Sequence, residues 1–278
     1  MTQPQTLMTG LAFGESPRWR DGRLWFSNWG AQQVVAVALG GKSEVVARMP
    51  SFPFSIDWLL DGRLLLVSGR EALLLRMEED GSLVTHVELS GLVAGAWNEL
   101  VVDGRGNAYV NSAGFGDPAG LGIIALVSPD RAMRQVADGL AFPNGMAVTP
   151  DNSTLIIAES YGKRLTAFDI EADGDLSNRR VWADLVDGIP DGICLDEEGA
   201  AWYADVPNQR CVRVREGGEL LQTVQVDRGC FACMLGGVDG KTLFIMAAEW
   251  KGFENMTPDS RTGQILMVAA PAPHAGWP

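Results

Sequence analysis

One pattern constrains this chain more than any other: a tight turn led by Asp returns six times. The turns are Asp21-Gly22-Arg23, Asp61-Gly62-Arg63, Asp103-Gly104-Arg105, Asp151-Asn152-Ser153, Asp196-Glu197-Glu198 and Asp239-Gly240-Lys241, spaced 40 to 48 residues apart. A short apolar run follows each turn, as in Leu24-Trp25-Phe26, Leu64-Leu65-Leu66-Val67 and Leu243-Phe244-Ile245-Met246. Another precedes it, as in Met146-Ala147-Val148 and Ile193-Cys194-Leu195. Strand, tight turn and strand make a β-hairpin. A hairpin repeated at this period is the signature of propeller blades. Third strands are predicted over 34–38, 73–77, 123–127, 165–170, 212–215 and 264–268, and outer strands over 45–48, 83–88, 134–137, 179–183 and 221–226. The expectation is therefore an all-β chain. It forms a single six-bladed β-propeller over residues 1–278, with four-stranded antiparallel blades. A propeller must close on itself. Residues 2–9 are the candidate for completing blade six, and 264–268 either supplies its third strand or joins the blade begun near Leu24.

Composition narrows the partners. Hydrophobic residues make up 46% of the chain and charged residues 21%, as in a well-packed globule, and the 33 glycines suit many hairpin turns. The net charge of −13 disfavours nucleic acid and anionic membrane surfaces. No apolar run approaches the length of about 18 residues that a membrane span needs. Residues 1–10 carry neither a basic region nor an apolar stretch of the secretory kind, which sets the expectation of a cytoplasmic protein. Cys194, Cys211, Cys230 and Cys233 are then expected to be reduced structural thiols. Cys230 and Cys233 have C-x-x-C spacing, but a zinc or redox site would need a second such pair or a nearby His. His86 and His274 are both distant in sequence.

In a propeller the innermost strand of each blade lines a central channel. Positions four to seven residues before each turn enter that channel from six directions. They are Glu15, Ser55 with Asp57, Asn98 with Glu99, Asn144, Asp191, and Cys230 with Cys233. Several carboxylates and carboxamides thus converge, with no Lys or Arg among them. Buried carboxylates need a cation or strong hydrogen bonds. Either Glu15, Asn144 and Asp191 offer oxygen ligands to a hard divalent cation, or these groups bond to loop N–H groups. Pro and Gly flank the three candidates, in Gly14-Glu15-Ser16-Pro17, Pro143-Asn144-Gly145 and Pro190-Asp191-Gly192, and so fix the backbone there.

On these residues the chain resembles the senescence marker protein (regucalcin)/gluconolactonase/luciferin-regenerating family of six-bladed propellers. The matching motifs are Gly14-Glu15-Ser16-Pro17 with Trp19, Pro143-Asn144-Gly145 with Thr149-Pro150-Asp151, and Pro190-Asp191-Gly192 with Asp196 and Gly199. Asn98-Glu99 followed by Val101-Val102-Asp103 is similar to the family's Asn-Asp blade entry. The resemblance covers almost the whole chain and implies a divalent-metal hydrolase, typically a lactonase. It implies one cation on Glu15, Asn144 and Asp191, with Ca²⁺ first and Mg²⁺, Mn²⁺ or Zn²⁺ as alternatives. By the same resemblance Asn98 contacts substrate or completes the metal shell, and Asp191 doubles as general base.

The chain departs from the family pattern at Ala96, where sugar-lactone members often carry Arg, and at Glu99, where they carry Asp. With Trp97, Phe115 and Trp250 nearby as apolar contacts, this favours a less hydroxylated lactone. Arg18, Lys163 and Arg228 are near blade entries and could supply the missing donor. No G-x-S-x-G elbow is present, and the two histidines leave little room for a Ser–His pair. The base is Asp191, or Glu99 if it points inward. The same scaffold could serve a metal-dependent aryl esterase or phosphotriesterase, a strictosidine-synthase-type enzyme or a non-enzymatic calcium-binding propeller. Metal identity, native lactone and oligomeric state are left open at this point.

Overall fold

A computed structural model of the protein describes residues 3–93, 95–114, 120–252, 257 and 259–278. These residues form six antiparallel sheets arranged as a six-bladed β-propeller. From the axis outwards, blade one is Gly14–Arg20, Arg23–Asn28, Gln33–Ala38 and Ser43–Arg48. The innermost strands of blades two to six are Phe54–Trp58, Leu100–Val102, Pro143–Val148, Pro190–Asp196 and Gly229–Gly236. Among the described residues the only helix is one 3₁₀ turn, Trp29–Ala31. No described helix is long and apolar enough to cross a membrane.

The predicted third and outer strands are all present, to within a few residues at their ends. The second strands read as unbroken apolar runs because neighbouring blades cover both of their faces. Leu64, Leu65, Leu66 and Val67 are all buried, as are Leu155, Ile156 and Ile157. Ring closure falls to Gln5–Leu11, which pairs antiparallel with Gly263–Ala269 as the outermost strand of blade six. The segment 264–268 therefore belongs to the third strand of blade six.

The six turns differ in chemistry. Only Asp21-Gly22 is a two-residue hairpin turn with both residues at positive φ, 51° and 73°. At the other five the Asp carboxylate accepts the N–H two residues further on, from Arg63, Arg105, Ser153, Glu198 and Lys241, at 2.9–3.1 Å. The left-handed position there is taken by Gly62, Gly106, Asn152, Gly199 or Gly240.

Blade five carries a fifth strand that the sequence reading did not foresee. His274–Ala275 pairs with Leu195 and Asp196, on the axial side of the blade. Trp277 then exchanges backbone hydrogen bonds of 2.7 and 2.8 Å with Val148 of blade four. The C-terminal tail thus ties blades four and five together at the ends of their innermost strands away from Asn144 and Asp191.

Four innermost strands break register near their start. The breaks fall between Glu15 and Arg18, Pro143 and Met146, Pro190 and Ile193, and Cys230 and Ala232. A bulge bends the strand and re-aims a side chain. The three motifs with Pro or Gly beside the candidate ligand are the sites of three of these bulges. Two glycines let the bulged backbones meet. A Cβ on Gly145 would lie 2.6 Å from Ile193 N and 2.7 Å from Asp191 O, and one on Gly192 would lie 2.7 Å from Ala232 Cα. All are backbone atoms, so no flexible side chain can yield. Gly145→Ala is expected to lower stability by at least about 1–3 kcal/mol, the usual range for overpacking. Denaturant unfolding checks this, with Gly22→Ala as a comparison, since a Cβ at Gly22 meets nothing within 4 Å and strains only the local φ of 73°.

Candidate active site

The bulges bring Glu15, Asn144 and Asp191 to the floor of one cavity of about 270 Å³, together with Asn98 from blade three. Asn98 Nδ2 lies 3.3 Å from Asn144 Oδ1. Beside this floor the backbone is held in sparsely populated conformations, with Phe13 at φ 141° and Phe142 at φ 58°. Such strain persists only where surrounding structure enforces it.

The walls are aromatic. Phe13, Trp29, Phe52, Phe142, Tyr161, Phe231 and Trp250 all line the cavity. Phe142 stacks on Tyr161 at 4.5 Å, and Phe13 meets Phe231 edge-on at 4.3 Å. Two polar wall groups are already engaged: Trp29 Nε1 donates to Phe54 O at 2.5 Å, and Ser160 Oγ to Pro190 O at 2.7 Å. No Lys, Arg or His lines the cavity among the described residues. Arg18, Lys163 and Arg228, the candidate donors to sugar hydroxyls, stand outside it. Arg228 is bound to Asp227 and to Thr262 O.

Below the floor the channel does hold a cation, which corrects the reading of an axis free of Lys and Arg. Arg18 is buried, with Nη2 2.6 Å from Leu100 O and 3.6 Å from Glu99 Oε2, and Nε 3.8 Å from Asp57 Oδ2. The strand alternates, and the bulge at Ser16-Pro17 sends Arg18 inwards. Asp57 also accepts backbone N–H bonds from Val102 and Trp58, both at 2.8 Å, so for this residue hydrogen bonding meets the need. Glu99 borders a smaller space with Ser16, Arg18 and Cys233 and does not line the main cavity.

Burial is the main influence on the floor carboxylates. Desolvation, followed by repulsion from Asp191 and Glu99, pushes Glu15 well above the usual carboxylate range. Desolvation and then Glu99 push Asp191 the same way. A buried and a half-buried carboxylate and a carboxamide, all oxygen donors, with no basic side chain on the cavity wall among the described residues, fit a hard divalent cation. No group of three or more His, Cys, Asp and Glu suited to a metal is found among the described residues. The third donor at this floor is an amide, Asn144.

Other sequence-predicted positions divide. Trp250 lines the cavity and is partly exposed at its mouth. Trp97 does not reach it. Successive residues along an extended chain face opposite sides, so with Asn98 on the cavity Trp97 is turned into the core against Leu65, Val67 and Leu100. Phe115 lies outside the described residues. The four cysteines are free and buried in one core cluster, and desolvation raises the thiols of Cys194, Cys211 and Cys233. Buried thiols of this kind are inert. Ser160-Tyr161 and Phe52-Pro53 were missed by the sequence reading. They sit in loops after or before strands, where no periodicity marks them.

Comparison with known proteins gives the family. The model of the SMP-30/Gluconolactonase/LRE-like region matches residues 13–249. Regucalcin from Oryctolagus cuniculus is 31% identical over 51% of this chain and 48% of that protein, so the chain spans about half the length of that curated relative in the alignment. Human regucalcin is 26% identical over 85% of this chain and 83% of its own length. Among solved structures, a gluconolactonase from Xanthomonas campestris superposes with a TM-score of 0.77 at 24% identity, covering 96% of this chain and 89% of that one. A calcium-binding regucalcin from Agrobacterium tumefaciens gives 0.82 at 20% identity, covering 99% and 95%. At these identities the structures speak to fold alone. The family match spans the bulged strands that carry Glu15, Asn144 and Asp191, and the chain belongs to the SMP-30/gluconolactonase/LRE-like family.

Proposed function

We propose that this protein is a divalent-metal-dependent lactonase acting on small lactones that carry few hydroxyl groups. The observation that supports it most is the convergence of Glu15, Asn144 and Asp191 at the floor of a cavity that no basic side chain lines among the described residues. Membership of a family named for gluconolactonase supports the lactone class. A cation held by Glu15, Asn144 and Asp191 would supply Lewis acidity toward a carbonyl oxygen. Asp191 is the base that takes the proton of the attacking water. Asn98, next to Asn144, donates its amide N–H to the substrate. The aromatic walls exclude bulk water and position the ring. A lactone is an activated ester, so no Ser–His nucleophile is needed. The calcium-binding regucalcin among the structural neighbours favours a second reading, a calcium-binding propeller without activity. A metal-dependent aryl esterase or phosphotriesterase would use the same floor.

Asp191→Ala removes both a ligand and the base. Activity on the best lactone is expected to fall by about 10²- to 10⁴-fold or more with the fold intact. Wild-type rates in this variant would disprove both roles. Chelator should abolish turnover and added Ca²⁺, Mg²⁺, Mn²⁺ or Zn²⁺ restore it. A protein that binds Ca²⁺ yet opens no lactone in a broad panel is the calcium-binding propeller.

The sign of the pH effect follows from the carboxylates. Their pKa values are raised in the folded state above 4.5 for Glu15 and 3.8 for Asp191. The folded chain therefore binds more protons than the unfolded one, and this contribution to stability is full below the ordinary carboxylate range and lost as pH rises through the raised values. In chelator, the melting temperature is expected to fall as pH rises above the ordinary carboxylate range, and Glu15→Gln with Asp191→Asn to flatten that fall. An equal slope in the variant would show that other groups set it.

The walls set the substrate preference. Each sugar hydroxyl would lose water against aromatic faces without a partner, at about 1–3 kcal/mol each. The expected result is a higher kcat/KM for γ- or δ-lactones with alkyl or aryl substituents than for glucono-1,5-lactone. The opposite ranking would show that a donor outside the described lining enters the site.

A further inference from the structure

Blade three departs from the other five at the axis. Its innermost strand, Leu100–Val102, has only three residues, whereas those of the other blades have five to eight. The two residues before it, Asn98 and Glu99, lie outside the regular strand. Their backbone is held instead by Asn111, a fully buried residue on the second strand of the blade, Ala108–Ser112. Asn111 O accepts the N–H of Asn98 at 2.8 Å, and Asn111 N–H donates to Glu99 O at 2.9 Å. The side chain works on both sides. Its Oδ1 accepts Glu99 N–H at 3.3 Å, and its Nδ2 donates to the backbone carbonyl of Asn144, in the next blade, at 2.6 Å.

We infer that Asn111 is the positioning residue of the cation site, through the seam it makes between blades three and four. It grips the backbone on either side of the Asn98–Asn144 contact, so the distance between those two carboxamides depends on it. Asn144 sits in a bulge with no regular partner of its own, between Pro143 paired with Glu159 and Met146 paired with Ile157. The hydrogen bond from Asn111 therefore holds the Asn144 backbone from which the carboxamide projects, while Asn98 Nδ2 meets the carboxamide oxygen itself. Asn111 lines neither the cavity nor the smaller space below it, so it touches no substrate.

This inference rests on the cation reading of Glu15, Asn144 and Asp191. The test is calorimetric titration of chelator-treated protein with Ca²⁺ and, separately, Mn²⁺, for wild type, Asn111→Ser and Asn111→Leu. Asn111→Ser adds no charge and no bulk at this fully buried position and withdraws the side chain from Asn144 O, so it guards against a variant that fails to fold. Each variant is expected to raise the dissociation constant by about tenfold to hundredfold, the usual effect of removing a group that orients a ligand. Melting in chelator is the second readout. A residue that is only structural lowers the melting temperature and leaves the dissociation constant at the wild-type value, and that result overturns the inference. Failure of wild type to bind either cation overturns the cation reading itself, and so the two failures are distinguishable.

Discussion

The antiparallel pairing of Gln5–Leu11 with Gly263–Ala269 is the contact on which the rest depends. Six sheets strung on one chain need not form a ring. An open array would leave blade six with an exposed edge and blade one without a neighbour on one face. Joining the two ends through one sheet closes the ring. Closure forces six innermost strands toward a common axis, and only then do residues as far apart in sequence as Glu15 and Asp191 become neighbours. The C-terminal tail adds a second cross-link at the opposite end of the strands, through Ala275 and Trp277.

Convergence alone would place side chains on the axis at the pitch of a regular strand. The bulges change that. At Glu15, Asn144 and Asp191 an extra residue in the inner strand turns an oxygen donor toward the cavity. Gly145 and Gly192 allow the bulged backbones to approach more closely than any side chain would permit. The cost is electrostatic. Glu15 and Glu99 are buried and Asp191 half-buried, and desolvation pushes all three toward the protonated form, with repulsion from Asp191 and Glu99 added at Glu15 and from Glu99 at Asp191. Arg18 offsets this below the floor, where it lies against Glu99 and Asp57. Among the described residues no side chain does so on the cavity side, and that asymmetry is what the cation reading rests on.

Floor and walls therefore have different physical tasks. The floor is a cluster of oxygen donors whose charge needs a partner. The walls are aromatic rings packed on one another, and two of their polar groups, Trp29 Nε1 and Ser160 Oγ, are already bonded to backbone carbonyls. A substrate with one polar end and one apolar end matches both.

Local chemistry determined much of this in advance. An Asp carboxylate can cap the turn that follows it, and a strand covered on both faces must be apolar throughout, so hairpins, blade count and four-stranded blades were legible residue by residue. The ligand candidates were legible for a related reason: Pro and Gly suit the irregular backbone of a bulge, and Glu15, Asn144 and Asp191 each stand beside them. Other features depend on contacts between blades, which carry no local signature. Trp97 and Asn98 are adjacent in sequence, yet one packs into the core and the other lines the cavity. Arg18 follows a motif residue by three positions, and only the bulge decides that it points inward. Asn111 is one polar residue in an apolar strand, and its partner Asn144 is 33 residues away. The tail is too short to show a pattern of its own. Whether a polar side chain in this chain reaches solvent, a backbone carbonyl or the axis was settled by which blade packs against it, and that is a property of the closed ring.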